Sequence, residues 1–127
     1  MKFKTVNDAL AHAFVYVTAK YPEITGVFAG MRECGLVPPD SLRIFTAAWW
    51  AADVLGLRES TQQQLEFGRT FGRLARGFFG PKVNSVPLDM IMIMAAETVI
   101  RWPAVCASRH RVPSHIECPG KQIAALN

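Results

Sequence analysis

The stretch VPPDSLRIFTAAWWAADVLGL, residues 37–57, decides the fold class of this chain. Two prolines followed by Asp40 and Ser41 stop the preceding segment and offer a helix cap. The residues that follow are apolar on nearly every side of a helical wheel, with Thr46 and Asp53 among the few interruptions. Because such a helix must be covered on several sides, the stretch predicts the central helix of an all-α domain.

Apolar residues recur three and four positions apart over most of the remaining chain, which indicates further helices. We predict a single compact domain of about five helices over residues 1–105, followed by a polar tail over 106–127 whose packing on the domain the sequence leaves open. Four other helices are predicted besides the central one. Two precede it, the first from Thr5 or Asn7 to about Lys20 and the second over 23–34. Two follow it, one from Ser60 or Thr61 to the phenylalanines at 78–79 and one over 88–102.

Three features bound these predicted helices. Pro22 is expected to end the first, Gly35 the second, and Pro103 the last. In the helix that starts near Ser60, the 4, 3, 4 spacing of four apolar residues predicts a core stripe. These residues are Phe67, Phe71, Leu74 and Phe78.

Composition excludes several classes of protein. Half of the 127 residues are hydrophobic and 19% are charged, which is typical of a folded globular chain. The two most apolar stretches are short and carry carboxylates, so neither predicts a membrane span. The opening residues lack the form of a secretory signal, and we expect a cytoplasmic protein. A net charge of +4 favours acidic partners mildly.

The segment CASRHRVPSHIEC contains four residues of the kinds that bind zinc, in the order C-x3-H-x4-H-x2-C. They are Cys106, His110, His115 and Cys118. The four-residue loop between the two halves is shorter than in common zinc fingers, although zinc knuckles are comparably compact. A zinc site and a flexible basic tail therefore both remain open, and no other cofactor is expected.

A row of arginines follows the predicted phenylalanine stripe. Arg69, Arg73 and Arg76 fall within about 60° of one another on a helical wheel, on the side opposite the stripe. Guanidinium groups suit phosphate, so the row, with Lys82 in the next loop and Arg109 and Arg111 in the tail, predicts a nucleic-acid interface. A merely solvated outer face is the alternative. Gly68 and Gly72 form a notch in the same helix, which is expected to admit a second helix.

Met90 and Met94 share one arc of the last predicted helix. Flexible thioethers suit an adaptable partner surface, although methionine at helical spacing also fills cores. Asp89 and Glu97 lie eight residues apart, about 12 Å along a helix, so they do not form an acid and base pair acting on one bond. His12 is expected on the surface.

No set of acid, base and nucleophile is evident, so we expect a protein that is not an enzyme. The first hypothesis is a small regulatory protein that binds nucleic acid, or a nucleic-acid-bound machine, through the arginine row. The second is a helical protein-interaction or inhibitor module that uses the face around Met90 and Met94, with a homodimer as one form such a face allows. Salt-sensitive association would favour the first hypothesis, and salt-tolerant association the second.

Overall fold

The computed structural model describes the backbone of residues 2–110 and the side chains of residues 2–104. Within that part of the chain there are four α-helices, one 3-10 helix and no strand. The helices are α1 (Val6–Glu33), α2 (Leu42–Val54), α3 (Thr61–Phe79) and α4 (Leu88–His110), and the 3-10 helix η1 (Gly80–Ser85) joins α3 to α4. The predicted all-α class is confirmed, with one helix fewer than expected.

The two predicted helices before Gly35 are one continuous helix, α1, so the expected break at Pro22 is wrong. Thr5 caps its start, because the Thr5 hydroxyl accepts a hydrogen bond from the Asp8 backbone N–H at 3.1 Å. Pro22 lies on the exposed side. Beyond it, α1 buries Ile24 and Phe28, each worth about 2 kcal/mol, which together offset the roughly 3 kcal/mol that a proline costs inside a helix.

Gly35 and Gly56 end α1 and α2 as glycines commonly do. Their φ angles are 75° and 76°, in the left-handed region that favours glycine. The next residue after each glycine donates back into the helix, Leu36 to the Met31 carbonyl at 2.9 Å and Leu57 to the Ala52 carbonyl at 2.8 Å. Each backbone reversal therefore satisfies a carbonyl of the last helical turn.

The short helix α2 is central, as the sequence predicted. It packs against α1, α3 and α4, and its small alanines allow all three neighbours to approach. Trp50 is fully buried, and Trp49 is buried beneath the Arg58 guanidinium, which stacks 3.7 Å from the centroid of the ring. Both tryptophans therefore contribute to the core. Because they are adjacent on α2, burying both requires neighbours on more than one face of that helix.

The helix α3 is a single helix, and its start at Ser60 is confirmed, since the Ser60 hydroxyl accepts from the Gln63 N–H at 3.3 Å. The predicted core stripe is only half right. Phe67 and Phe71 are completely buried, but the third core position is Ala75. Leu74 and Phe78 are exposed, because α3 packs mainly on α2 and η1 and touches α4 little.

The last helix, α4, does not end before Pro103 as expected but continues to His110. Its core side carries Ile91, Met92, Ala95 and Val99, which are buried against α1 and α2. Among the described residues, no helix has both the length and the apolar character needed to cross a membrane.

Candidate binding surfaces

The arginine row on α3 faces solvent over most of its length. Arg69, Arg73 and Arg76 are all exposed, as the sequence predicted. Over residues 2–104 the structure contains one ion pair, between Glu97 and Arg101 at 3.9 Å, so Arg69 and Arg73 have no carboxylate partner there. These two guanidinium groups one turn apart therefore lie without an ion-pair partner, and Glu66, three residues before Arg69, offsets only part of their charge.

Arg76 differs from the other two arginines because its side chain holds two helices together. Its Nη2 donates to the Ser41 hydroxyl at 3.1 Å. Ser41 is buried at the start of α2, and its hydroxyl makes no capping bond to its own helix. Arg76 therefore connects α3 to the start of α2, and two arginines of the predicted row remain available for a partner.

The expected helix-packing notch at Gly68 and Gly72 is wrong. A Cβ atom built at Gly68 would meet no atom within 4 Å, so no second helix contacts this position. A Cβ atom at Gly72 would lie 2.8 Å from Nη1 of Arg76. The missing side chain at Gly72 thus provides space for an arginine of the same helix.

The other predicted cations are spread over different parts of the chain. Lys82 is exposed on η1. Arg43 anchors that segment, since its Nη1 donates to the Asn84 carbonyl at 2.8 Å. Arg109 belongs to α4 by its backbone, but its side chain lies outside the described residues, as does all of Arg111.

An apolar groove, which we call the α3–α4 groove, lies between α3 and α4, which both pack on α2. Its volume is about 640 Å³, and it is open to solvent instead of enclosed. Apolar side chains form most of its walls: Leu74 and Phe78 from α3, and Met90, Ile93, Met94 and Trp102 from α4. The Glu97 and Arg101 side chains lie at its α4 edge.

The groove includes both methionines of the predicted partner surface. Met90 is exposed, and Met94 is half-buried against the core. The sequence did not indicate Ile93 as a surface residue, and it assigned Leu74 and Phe78 to the core. The available signal was Ala75, since a stripe of Phe67, Phe71 and Ala75 would have turned Leu74 toward the edge.

A second cluster that the sequence did not predict joins α1 to α2. His12 is half-buried, not on the open surface as expected, and its Nδ1 accepts a hydrogen bond from the Trp50 indole at 3.0 Å. Phe3 packs against both rings. Nearby, burial and the neighbouring Asp53 carboxylate raise the pKa of Tyr16 to about 12. This cluster gives the buried indole N–H its acceptor, which is a structural role.

The predicted zinc ligands fall at the edge of the described chain or beyond it. Cys106 and His110 lie in α4 by their backbone, but their side chains, together with His115 and Cys118, lie outside the described residues. In the part of the chain that is described, no group of three histidine, cysteine, aspartate or glutamate side chains is placed to hold a metal ion. Whether the tail binds zinc stays a prediction.

Comparison with protein-family models, with curated proteins and with solved structures found no match for this chain.

Proposed function

We propose that this protein is a small, cytoplasmic, non-enzymatic binding protein that takes an amphipathic helix of another protein into the α3–α4 groove. It would act as a regulatory or inhibitory module through that contact. The proposal follows the second hypothesis drawn from the sequence, with the surface around Met90 and Met94 enlarged by the apolar residues of α3.

The observation that carries the proposal is the amount of exposed apolar surface gathered at one place. Phe78 is 75% exposed, Leu74 and Met90 are each 49% exposed, and Ile93 is 41% exposed. All four line the same groove. Isolated apolar residues are ordinary on a protein surface, but a contiguous apolar patch is typical of a binding site.

The shape of the groove favours a helix as its occupant. Its walls are two helices, and the residues that line them recur at helical spacing, Leu74 and Phe78 on α3 and Met90 and Met94 on α4. A third helix packs onto two others by placing side chains spaced three and four residues apart between their ridges. An open groove of this kind does not enclose a small molecule as most ligand pockets do.

A display library of helical peptides with an apolar stripe at positions i, i+3, i+4 and i+7 tests the proposal. We expect enrichment on the full-length protein and loss of binding when Phe78→Ser and Ile93→Ser are combined. Val15→Ser is the matched control, since Val15 is 73% exposed on α1 and does not line the groove. No enrichment, or equal binding to the groove variant, would refute the proposal. If the protein forms a concentration-dependent dimer that Phe78→Ser abolishes, the partner in the groove is a second copy of this chain and not a helix of another protein.

Nucleic-acid binding is the second candidate, and the exposed, unpaired Arg69 and Arg73 favour it. Lys82, Arg109 and Arg111 would extend the contact. Band-shift assays at low salt should then show binding to DNA or RNA, and removal of each phosphate contact should lower the salt slope by about 1. Replacing Arg69 and Arg73 by alanine should weaken binding, while Lys4→Ala, just before α1, combined with Lys20→Ala on α1 should not. Absence of retention at low salt would exclude this candidate.

A further inference from the structure

We propose that Met90 is a site of reversible oxidation in the wall of the α3–α4 groove. Hydrogen peroxide converts its thioether to a sulfoxide, and the sulfoxide weakens the binding of the partner helix. This inference rests on the proposed function and concerns the regulation of that same site. Two observations carry it, the exposure of Met90 compared with the other methionines and its place in the groove.

The methionines of the described chain differ widely in their exposure to solvent. Residues 2–104 contain four, of which Met90 is 49% exposed, Met92 is 0% exposed, and Met31 and Met94 are partly exposed. A dissolved oxidant must reach the sulfur atom, so the susceptibility of a methionine follows its exposure. Met90 should therefore react first, whereas the core protects Met92, two residues further along the same helix.

The place of Met90 makes this reaction a change in the binding surface. Met90 lines the groove with Leu74, Phe78 and Ile93, whose hydrocarbon side chains peroxide does not oxidise. The other thioether of the groove wall belongs to Met94, which is half-buried against the core and should react more slowly. Mild oxidation therefore alters one position of an otherwise inert apolar wall.

The reaction transfers one oxygen atom from peroxide to sulfur. The thioether sulfur attacks one oxygen of hydrogen peroxide, the O–O bond breaks and an S–O bond forms. The departing hydroxide takes the proton of the transferred oxygen and leaves as water. Sulfur is thereby oxidised by two electrons and the peroxide is reduced by two. The product is a polar side chain in place of a flexible apolar one.

A sulfoxide at this position opposes helix binding, because an apolar partner would bury the new oxygen without donating a hydrogen bond to it. The cation at the α4 edge of the groove, Arg101, lies eleven residues from Met90, about 16 Å along the helix, and pairs with Glu97. Burial of an unpaired polar group corresponds to roughly tenfold in affinity. Without a partner the oxygen stays in water, so the folded state itself should tolerate it.

The experiment measures oxidation and binding on the same samples of the full-length protein. After limited treatment with hydrogen peroxide, mass spectrometry of proteolytic fragments should show an added oxygen first at Met90, with Met92 at least roughly tenfold slower. The binding probe is a synthetic amphipathic helix with leucine at positions i, i+3, i+4 and i+7. Its affinity, measured by fluorescence anisotropy, should fall roughly tenfold once Met90 has reacted.

Reduction separates methionine oxidation from cysteine oxidation. Methionine sulfoxide reductase should restore the affinity for the probe. Dithiothreitol alone should not restore it, because this thiol reduces a reversibly oxidised cysteine, such as the exposed Cys34, but leaves methionine sulfoxide unchanged.

Met90→Leu removes the oxidisable sulfur and keeps an apolar side chain. Each chain is compared with its own untreated sample, so that only the effect of peroxide is measured. The loss of roughly tenfold should disappear in the Met90→Leu chain. It should persist in the matched control Met31→Leu, because Met31 lies on α1 and does not line the groove.

The outcomes that contradict the inference differ from those that contradict the proposed function. If Met31 or Met94 reacts before Met90, or if oxidised Met90 leaves the affinity unchanged, the inference is overturned and the proposed function stands. If the untreated protein does not bind the probe, the proposed function fails, and the role assigned to Met90 fails with it. Loss of the helical circular dichroism signal on oxidation would indicate general damage and would also overturn the inference.

Discussion

Replacing Gly72 by alanine tests whether the space at this glycine serves Arg76. Alanine is favoured over glycine inside a helix by about 1 kcal/mol. At Gly72, however, the added Cβ atom would stand 2.8 Å from Nη1 of Arg76, so the guanidinium must shift, and we expect this shift to break its 3.1 Å bond to Ser41. A partly buried hydrogen bond of this kind is worth about 1 kcal/mol. The two effects should cancel, leaving the free energy of unfolding nearly unchanged.

Gly68 provides the matched control, because it lies one turn earlier on α3 and a Cβ atom there meets nothing within 4 Å. Gly68→Ala should therefore stabilise the protein by the full propensity gain of about 1 kcal/mol. In a chain that also carries Arg76→Ala, Gly72→Ala should become as stabilising as Gly68→Ala, since there is no longer a guanidinium to displace.

Urea denaturation followed by circular dichroism gives the free energy of unfolding of the original protein, of Gly72→Ala, of Arg76→Ala and of the double variant. These four values form a double-mutant cycle that gives the coupling between Gly72 and Arg76. A coupling of about 1 kcal/mol is expected. If Gly72→Ala stabilises the chain as much as Gly68→Ala while Arg76 is present, the link between α3 and the start of α2 contributes nothing, and Arg76 rejoins Arg69 and Arg73 as a free cation.

Three further predictions concern the core. The Thr46 hydroxyl is buried without a hydrogen-bond partner among the described residues, so Thr46→Val should raise the free energy of unfolding by about 1 kcal/mol; a decrease in urea midpoint would contradict this. His12→Ala should lower it by about 1 to 3 kcal/mol, because the buried Trp50 indole loses its acceptor, and an unchanged midpoint would show that the bond is dispensable. Since the Tyr16 pKa is raised to about 12, folding favours the neutral phenol, and stability should fall between about pH 10 and pH 12 as the unfolded phenol ionises. A Tyr16→Phe chain should lose less stability over that range in thermal melts. Equal losses in the two chains would show that ionisation of Tyr16 does not cause the decline.

The sequence predicts helix content and starts better than helix ends. Thr5 and Ser60 cap helices as expected, since a capping bond involves residues only three positions apart. Pro22 and Pro103 were expected to end helices and do not. The local cost of a proline is visible in the sequence, but the burial of Ile24 and Phe28 that offsets it depends on residues distant in the chain, such as Phe45, whose ring centroid lies 5.6 Å from that of Phe28.

The candidate site could be predicted only in part, because burial there also depends on residues distant in the chain. Which residues of α3 share a face follows from its period, so the exposed side of Arg69 and Arg73 could be placed in advance. Which part of the apolar face is covered depends on the direction from which neighbouring helices approach. Since α3 rests mainly on α2, Phe71 is buried while Phe78 remains exposed, and the groove beside it could not be foreseen.

The continuity of α1 has a consequence for motion. At 28 residues the helix is about 42 Å long, and Pro22 removes the N–H that would bond the Thr18 carbonyl. The backbone hydrogen bonding of α1 therefore lacks one bond near the middle of the helix, while His12 anchors the first half to α2 and Phe28 packs the second half against Phe45. Transient opening should begin at this midpoint, with fast amide hydrogen exchange there and slow exchange toward both anchored halves.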